Sequence, residues 1–207
     1  MNKQALVSVI ITSKNEADII SNLLPSINKQ TYKNIEVILV DNNSTDNTLK
    51  IAKKFGVTSY TFGPERSAQR NFGAKKSTGK YLLFLDADME LTPKVIQNCV
   101  ELSEEDRIAG VVIPEESIAE DFWGKIKAFE RSFYNETGDT TTDAARFFRR
   151  DIFFNVGGYD ETITGPEDWD LAETVRKKGD KIDRSKEKIY HHEQPISLAG
   201  LFKKKFY

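Results

Sequence analysis

Asp86-Ala87-Asp88 follows the apolar run Tyr81-Leu82-Leu83-Phe84-Leu85 without a break. Two carboxylates two residues apart at the end of an extended segment project the same way, and holding them together is costly without a cation. Hard oxygen ligands select Mg2+ or Mn2+, an ion that could bridge nucleotide phosphates and neutralise charge on a departing diphosphate. Read alone, the pair is equally a solvated turn. A second acidic cluster, Glu167-Asp168-Trp169-Asp170, follows Gly165-Pro166 and opens a helical pattern. Acids in a first helical turn suit the macrodipole, and Asp168 among other carboxylates is also a candidate proton acceptor for a hydroxyl. Arg66 and Arg70 lie one helical turn apart and could meet phosphates or form a solvated basic face. Asp41 ends another apolar run, where it could accept from a base N–H or a ribose hydroxyl, or close an Asx turn. His191 and His192, the only histidines, could complete a metal shell, contact a diphosphate or decorate the surface.

These residues need a frame that gathers distant segments. Residues 6–11 are β-branched and mostly apolar, as in a strand buried on both faces, and Ile19, Ile20, Leu23, Leu24 and Ile27 follow at helical spacing. Residues 35–40 repeat the strand pattern, 41–46 supply turn and N-cap chemistry, and Leu49, Ile51, Ala52 and Phe55 ride a second helix stopped by Gly56. A short strand at 57–61, a polar helix at 66–77 and the strand at 81–85 continue an alternation that predicts an α/β fold with a parallel, doubly wound half. Thr92-Pro93 predicts a helix with Thr92 as N-cap, and 108–113 a strand. The pattern then changes. An amphipathic stretch around Trp123, Ile126, Phe129 and Phe133 precedes a polar, loop-like segment at 137–143; strand signals at 146–148 and 188–192 flank a turn at 156–159 and a helix at 167–178.

In an open parallel sheet, ligands bind beyond the carboxyl ends of the strands. The first strand ends in Thr12-Ser13-Lys14-Asn15-Glu16, with neither G-x-G-x-x-G nor G-x-x-x-x-G-K-[ST], which disfavours dinucleotide enzymes and P-loop NTPases. Across 207 residues, 30 basic and 32 acidic side chains leave a formal charge of −2. Such a chain projects no broad positive field, so no nucleic-acid partner is expected. One cysteine, Cys99, excludes an internal disulfide and a cysteine-cluster zinc site, and suits the cytoplasm. No apolar run approaches the ~18 residues of a spanning helix.

Taken in order, Ser8-Val9-Ile10-Ile11 with Lys14-Asn15-Glu16, Val40-Asp41-Asn42-Asn43-Ser44-Thr45-Asp46, Arg70-Asn71 with Gly73, Gly79-Lys80-Tyr81 leading to Asp86-Ala87-Asp88, Val156-Gly157-Gly158-Tyr159 and Glu167-Asp168-Trp169-Asp170 resemble family 2 glycosyltransferases of the GT-A fold. The resemblance covers essentially the whole chain. It implies a Rossmann-like, mostly parallel sheet flanked by helices. Residues 1–114 would form a nucleotide-sugar-binding half, and 115–207 an acceptor and catalytic-base region of the same domain. It also implies roles. Asn15, Glu16 and Asp41 would contact the base and ribose of a UDP-sugar, with Arg66, Arg70 and Glu167 also on the donor side. Asp86 would support ribose or metal, Asp88 would ligate Mn2+ or Mg2+, and His191 or His192 would help hold the metal-diphosphate. Gly157 and Gly158 would let backbone approach the donor sugar, and Asp168 would be the general base of a single inverting displacement onto a saccharide or lipid-linked acceptor.

Departures refine this picture. Processive members carry Q-x-x-R-W, whereas Gln194 here precedes Pro195-Ile196-Ser197-Leu198, so transfer of single sugars is expected. Similar proteins often continue past the position of Tyr207, which makes truncation of a longer protein one expectation. Lys203-Lys204-Lys205 between Phe202 and Phe206 suggests peripheral contact with an anionic membrane from its cytoplasmic side. Two alternatives stand beside the transferase. The run 83–88 also resembles the nucleophile strand of haloacid-dehalogenase-like phosphatases, although Glu90 stands where threonine or valine is expected; the other is a non-catalytic nucleotide-sugar-binding module.

Overall fold

In the computed structural model, which describes residues 4–104, 108–135 and 144–193, strand β1 (Val7–Ser13) is buried at every position. It pairs in parallel with β2 (Ile35–Asp41) on one side and β4 (Tyr81–Asp86) on the other. The register sets Ser13 opposite Asp41 and Thr12 opposite Asp86, so three strands end level and the polar residues begin along one line. Alternation divides the apolar side chains between two cores. Val7, Val9, Ile11, Leu83 and Leu85 enter one, Ile10, Leu82 and Phe84 the other.

Helices α1 (Ile20–Asn28), α2 (Thr48–Lys54) and α3 (Arg66–Lys76) link these strands and β3 (Thr58–Thr61). α1 buries Ile20, Leu23, Leu24 and Ile27, the stripe expected from their spacing. α3 presses so close to the sheet that a Cβ on Gly73 would stand 2.5 Å from Ile10 Cγ2, and this contact fixes the depth at which Arg70 emerges.

Among the described residues the main sheet runs β3-β2-β1-β4-β8-β6-β9. β8 (Ala145–Arg149) inserts antiparallel between β4 and β6 (Ile108–Val112), and β9 (Lys181–Arg184) runs parallel to β6. Strands from the later half of the chain therefore complete the sheet begun by the earlier half. A second sheet of β5 (Met89–Leu91), β10 (Ile189–His192) and β7 (Glu115–Ile118) caps its end, with α5 (Phe122–Asn135) packed on β7. The remaining helices are α4 (Val95–Glu104), α6 (Arg150–Asn155) and α7 (Glu167–Lys177). Thr92 does not cap α4: its hydroxyl donates instead to Glu187 Oε2 at 3.0 Å, and the helix starts at Val95. The segment 137–143, Gln194 and the three C-terminal lysines lie outside the described residues.

Candidate active site

At the carboxyl ends of β1, β2 and β4 lies a cavity of about 320 Å³, lined among others by Ser13, Lys14, Glu16, Arg66, Asp86, Asp88 and His191. Gln69 ties its floor, donating to Val40 O at 2.7 Å and Ser13 O at 3.3 Å. Pairing of β10 with β5 sets His191 opposite Met89. That brings His191 Nε2 to 3.2 Å from Asp88 Oδ2. The next side chain on a strand must face the other way. His192 accordingly leaves this cavity and meets Glu90 Oε2 at 2.9 Å, so of the two candidate histidines only His191 stands with Asp88.

Asp88 Oδ1 is buried without a hydrogen-bond partner. Burial, and then the charge of Asp86, push the Asp88 carboxyl above the usual range against the pull of His191. An orphaned, desolvated carboxylate oxygen is what a divalent cation would satisfy. Among the described residues no three histidine, cysteine, aspartate or glutamate side chains are grouped for a metal. Asp88 and His191 could thus supply part of a coordination shell, which suits ions that are held by one or two carboxylates plus substrate phosphates.

Glu16 faces the same charges. Burial, followed by Asp88, Asp46 and Asp86, raises its pKa from 4.5 to about 7. A carboxyl that holds its proton more tightly when folded contributes stability below the unfolded value, and that contribution is lost as pH climbs toward the folded value. Glu16→Gln is therefore expected to melt above the parent protein near pH 8, with the gap closing by about pH 5. The gain should be modest, because the side chain is only half-buried. Thermal denaturation at both pH values checks this, and an equal gap at the two would contradict it.

Beneath the cavity runs a chain of alternating charges. Arg70, fully buried on α3, places Nη2 3.0 Å from Asp86 Oδ1 and Nη1 2.9 Å from Asp168 Oδ1. Its guanidinium also lies over the Tyr159 ring, 5.1 Å from the centroid. Arg146 on β8 continues the chain, with Nη1 3.6 Å from Asp86 Oδ2 and Nε 2.6 Å from Glu115 Oε1. Burial works against the Asp86 carboxylate, but Arg70, Arg146 and Arg66 outweigh it and hold Asp86 well below the usual range. Arg70 was expected on the donor side, facing the nucleotide, or on a solvated basic face. Tucked between α3, β4 and α7, it instead binds the site's own acids together, and Arg66 alone of the pair lines the cavity.

Asp168 opens onto a second cavity of about 490 Å³, together with Trp169, Arg146, Glu115, Lys127 and Arg131. The charge chain thus joins the two cavities, with Asp86 at one and Asp168 at the other. Several expected donor contacts sit elsewhere. Glu167 is buried, accepting from Gly165 N at 2.7 Å and pairing with Arg66 and Arg70 at 3.4 Å. Asp41 is fully buried and accepts from Ser13 Oγ, Ser44 N and Ser44 Oγ. Asn15 adopts φ 55° and its Oδ1 accepts from Thr45 N at 2.8 Å, which joins the loops after β1 and β2. Gly157 and Gly158 end α6 with φ of 99° and 76°, and their N–H groups return to Phe154 O and Phe153 O. A Cβ on Gly158 would fall 2.6 Å from Asn71 Oδ1. Neither glycine lines either cavity. Sequence reasoning missed Arg146 and Glu115. The only signal was an arginine beside the phenylalanines of β8, on the opposite face to Phe147.

The sequence profile described as Glycosyl transferase family 2 matches residues 8–159, most of the chain. The chain belongs to that family. The Escherichia coli enzyme UDP-Glc:alpha-D-GlcNAc-diphosphoundecaprenol beta-1,3-glucosyltransferase WfaP is 34% identical over 110 residues, covering 50% of this chain and 43% of its own. A glucosyl-dolichyl phosphate glucuronosyltransferase of Haloferax volcanii is 27% identical over 212 residues, covering 93% and 62%. The family 2 chain thus spans less than two thirds of the length of either relative. Its fold matches Staphylococcus aureus TarS 1-349 in complex with UDP-GlcNAc, at a TM-score of 0.74 with 20% identity over 92% of this chain and 59% of that one. It also matches the mannosyltransferase PcManGT from Pyrobaculum calidifontis in complex with GDP-Man and Mn2+, at 0.73 with 20% identity over 98% and 61%. The mostly parallel sheet flanked by helices is the expected GT-A architecture. Family membership sets aside the phosphatase reading, and so does an Asp86 whose two oxygens are engaged by arginines.

Proposed function

We propose that the chain is a metal-dependent, inverting, non-processive glycosyltransferase that moves a sugar from a UDP-sugar to an acceptor hydroxyl, with Asp168 as general base. One observation carries the reading. Asp168 lines the second cavity while Arg70 ties it to Asp86 on the first, so a base stands where two substrates in adjoining cavities would meet. The donor is placed in the first cavity, with Lys14 and Arg66 near its phosphates. Asp88 and His191 would hold Mn2+ or Mg2+, which when bound would offset the negative charge of the leaving diphosphate. A saccharide or lipid-linked acceptor would enter the second cavity. The Asp168 carboxylate takes the proton of the attacking hydroxyl as that oxygen bonds the anomeric carbon from the side opposite the leaving diphosphate. Arg70 keeps the carboxylate oriented through Oδ1, and the stereocentre inverts because a single displacement has one direction of approach.

The UDP preference draws support from the nucleotides named for TarS and WfaP. Calorimetric titration with UDP tests the donor site. Mn2+ is expected to tighten UDP binding about tenfold or more, and Asp88→Asn should remove that dependence while leaving the melting temperature close to that of the parent. Equal UDP affinity with and without Mn2+ would overturn the metal assignment.

A further inference from the structure

Glu193 follows β10, and its backbone N–H donates to Ile118 O at 2.9 Å, so the extended backbone that carries His191 continues one residue past the strand. Side chains two apart on such a backbone share a face. Glu193 therefore stands on the His191 side and not with His192. Its side chain is 1% exposed and sits among donors: Ser117 Oγ lies 3.0 Å and Arg131 Nη1 2.9 Å from Oε1, and Lys127 Nζ donates to Oε2. Both cations reach it from the inward face of α5, whose Phe122, Phe129 and Phe133 are turned to solvent.

His191 lies between this carboxylate and Asp88. Its Nδ1 is buried without a hydrogen bond, 3.5 Å from Glu193 Oε1, and its Nε2 is 3.2 Å from Asp88 Oδ2. A neutral imidazole carries a single N–H. With the proton on Nε2, the ring donates to Asp88 and turns a lone pair on Glu193. With the proton on Nδ1, the ring donates to Glu193, and the Nε2 lone pair and the Asp88 carboxylate face one place. Only the second arrangement leaves that nitrogen able to ligate a metal.

We propose that Glu193 is a positioning residue: it holds the proton of His191 on Nδ1, so that Nε2 is presented beside Asp88 as a ligand for a divalent cation. The inference rests on the reading above that Asp88 and His191 hold the cation. Glu193 lines neither cavity, so it acts through a neighbour and not on a substrate. Asp88 Oδ1 and His191 Nδ1 are both orphaned. A cation beside Asp88 answers the first, and a small tilt of the ring closes 3.5 Å to a hydrogen bond and answers the second. Lys127 and Arg131 neutralise Glu193, which lets it stay buried and leaves His191 free to be a neutral ligand. A carboxylate on the second ring nitrogen is how ligating histidines are commonly held. The same contact links the two cavities, because Lys127 and Arg131 line the one that holds Asp168 and His191 lines the other.

The test is Mn2+ binding in the presence of UDP, followed through the electron paramagnetic resonance signal of free Mn2+, with UDP alone as the blank. Glu193→Met keeps the length of the side chain and removes the acceptor, and is expected to weaken binding about 10- to 100-fold. Lys127 and Arg131 are 27% and 37% exposed, so both can rehydrate and the variant should keep the circular dichroism spectrum of the parent. His191→Gln should lose at least as much. Adding Glu193→Met to it should cost nothing further, since a residue that acts through His191 has no effect once His191 is gone. A second readout is independent of affinity. In a His192→Gln background, which leaves one imidazole, proton–nitrogen correlation spectroscopy with UDP and Mg2+ should find the ring proton on Nδ1. Equal Mn2+ affinity in the parent and Glu193→Met would overturn the proposal, as would additive losses in the double variant or a ring proton on Nε2. A His191→Gln protein that binds Mn2+ like the parent would overturn the metal reading itself and the inference with it, so the two failures are distinguishable.

Discussion

Replacing Asp168 by Asn is expected to lower the turnover number by roughly 10² to 10⁴, the range supplied by general-base catalysis, while donor affinity stays close to that of the parent. The substitution keeps the shape of the side chain and an oxygen that can accept from Arg70 Nη1, now 2.9 Å from Asp168 Oδ1. It removes the carboxylate that would take the acceptor proton. Because Asp168 lines the second cavity and not the first, the loss should appear in transfer and not in UDP titrations. A steady-state assay paired with calorimetry separates the two. Unchanged turnover would strip Asp168 of its role, and a matched loss of donor affinity would mean that it serves the nucleotide side instead.

Arg70→Met should have the largest effect on stability. Arg70 is fully desolvated and stands between Asp86, Glu167 and Asp168. Without it, three carboxylates crowd one region with only Arg146 and Arg66 to answer them. Breaking a buried ionic network by removing one partner costs about 3–5 kcal/mol. In a domain of this size each 1 kcal/mol moves the melting temperature by about 2–4 °C, so a fall on the order of 10 °C is expected in thermal denaturation. Arg70→Lys should recover only part of it, because a single ammonium cannot reach two carboxylates in the way a planar fork does. A variant with methionine that melts like the parent would show the network to be dispensable.

Strands β1, β2 and β4 were legible because each is a run of six or seven mostly apolar residues, and the helix after β1 carries a clear stripe: Ile20, Leu23, Leu24 and Ile27 all fall in the core. The second sheet was not. β5 has 3 residues and β7 has 4, too few for a period to register. The strand character of β10 was legible, but its partners were not, and those partners separate His191 from His192. Of the candidate site, the acids at 86, 88 and 168 could be found from their positions after a strand and at a helix start. What could not be read was who neutralises whom. Arg70 stood open between phosphates and a solvated basic face because spacing alone cannot tell a solvent-facing arginine from one buried at the meeting of three elements. Asp41, Asn15 and Glu167 carry side chains suited to a ligand, yet local backbone and hydroxyl groups already claim them. The aromatic stripe of α5 was legible as a stripe, but periodicity does not say whether it faces inward or outward.

The central claim, that Asp88 and His191 hold a cation and a nucleoside diphosphate in the first cavity while Asp168 serves the adjoining one, is tested most directly by anomalous diffraction from crystals grown with UDP and Mn2+. The anomalous peak is expected beside Asp88 Oδ1 and His191 Nε2, with the UDP phosphates against it and the Asp168 carboxylate facing the adjoining cavity. A peak away from Asp88, or UDP bound outside the cavity formed by β1, β2 and β4, would contradict it.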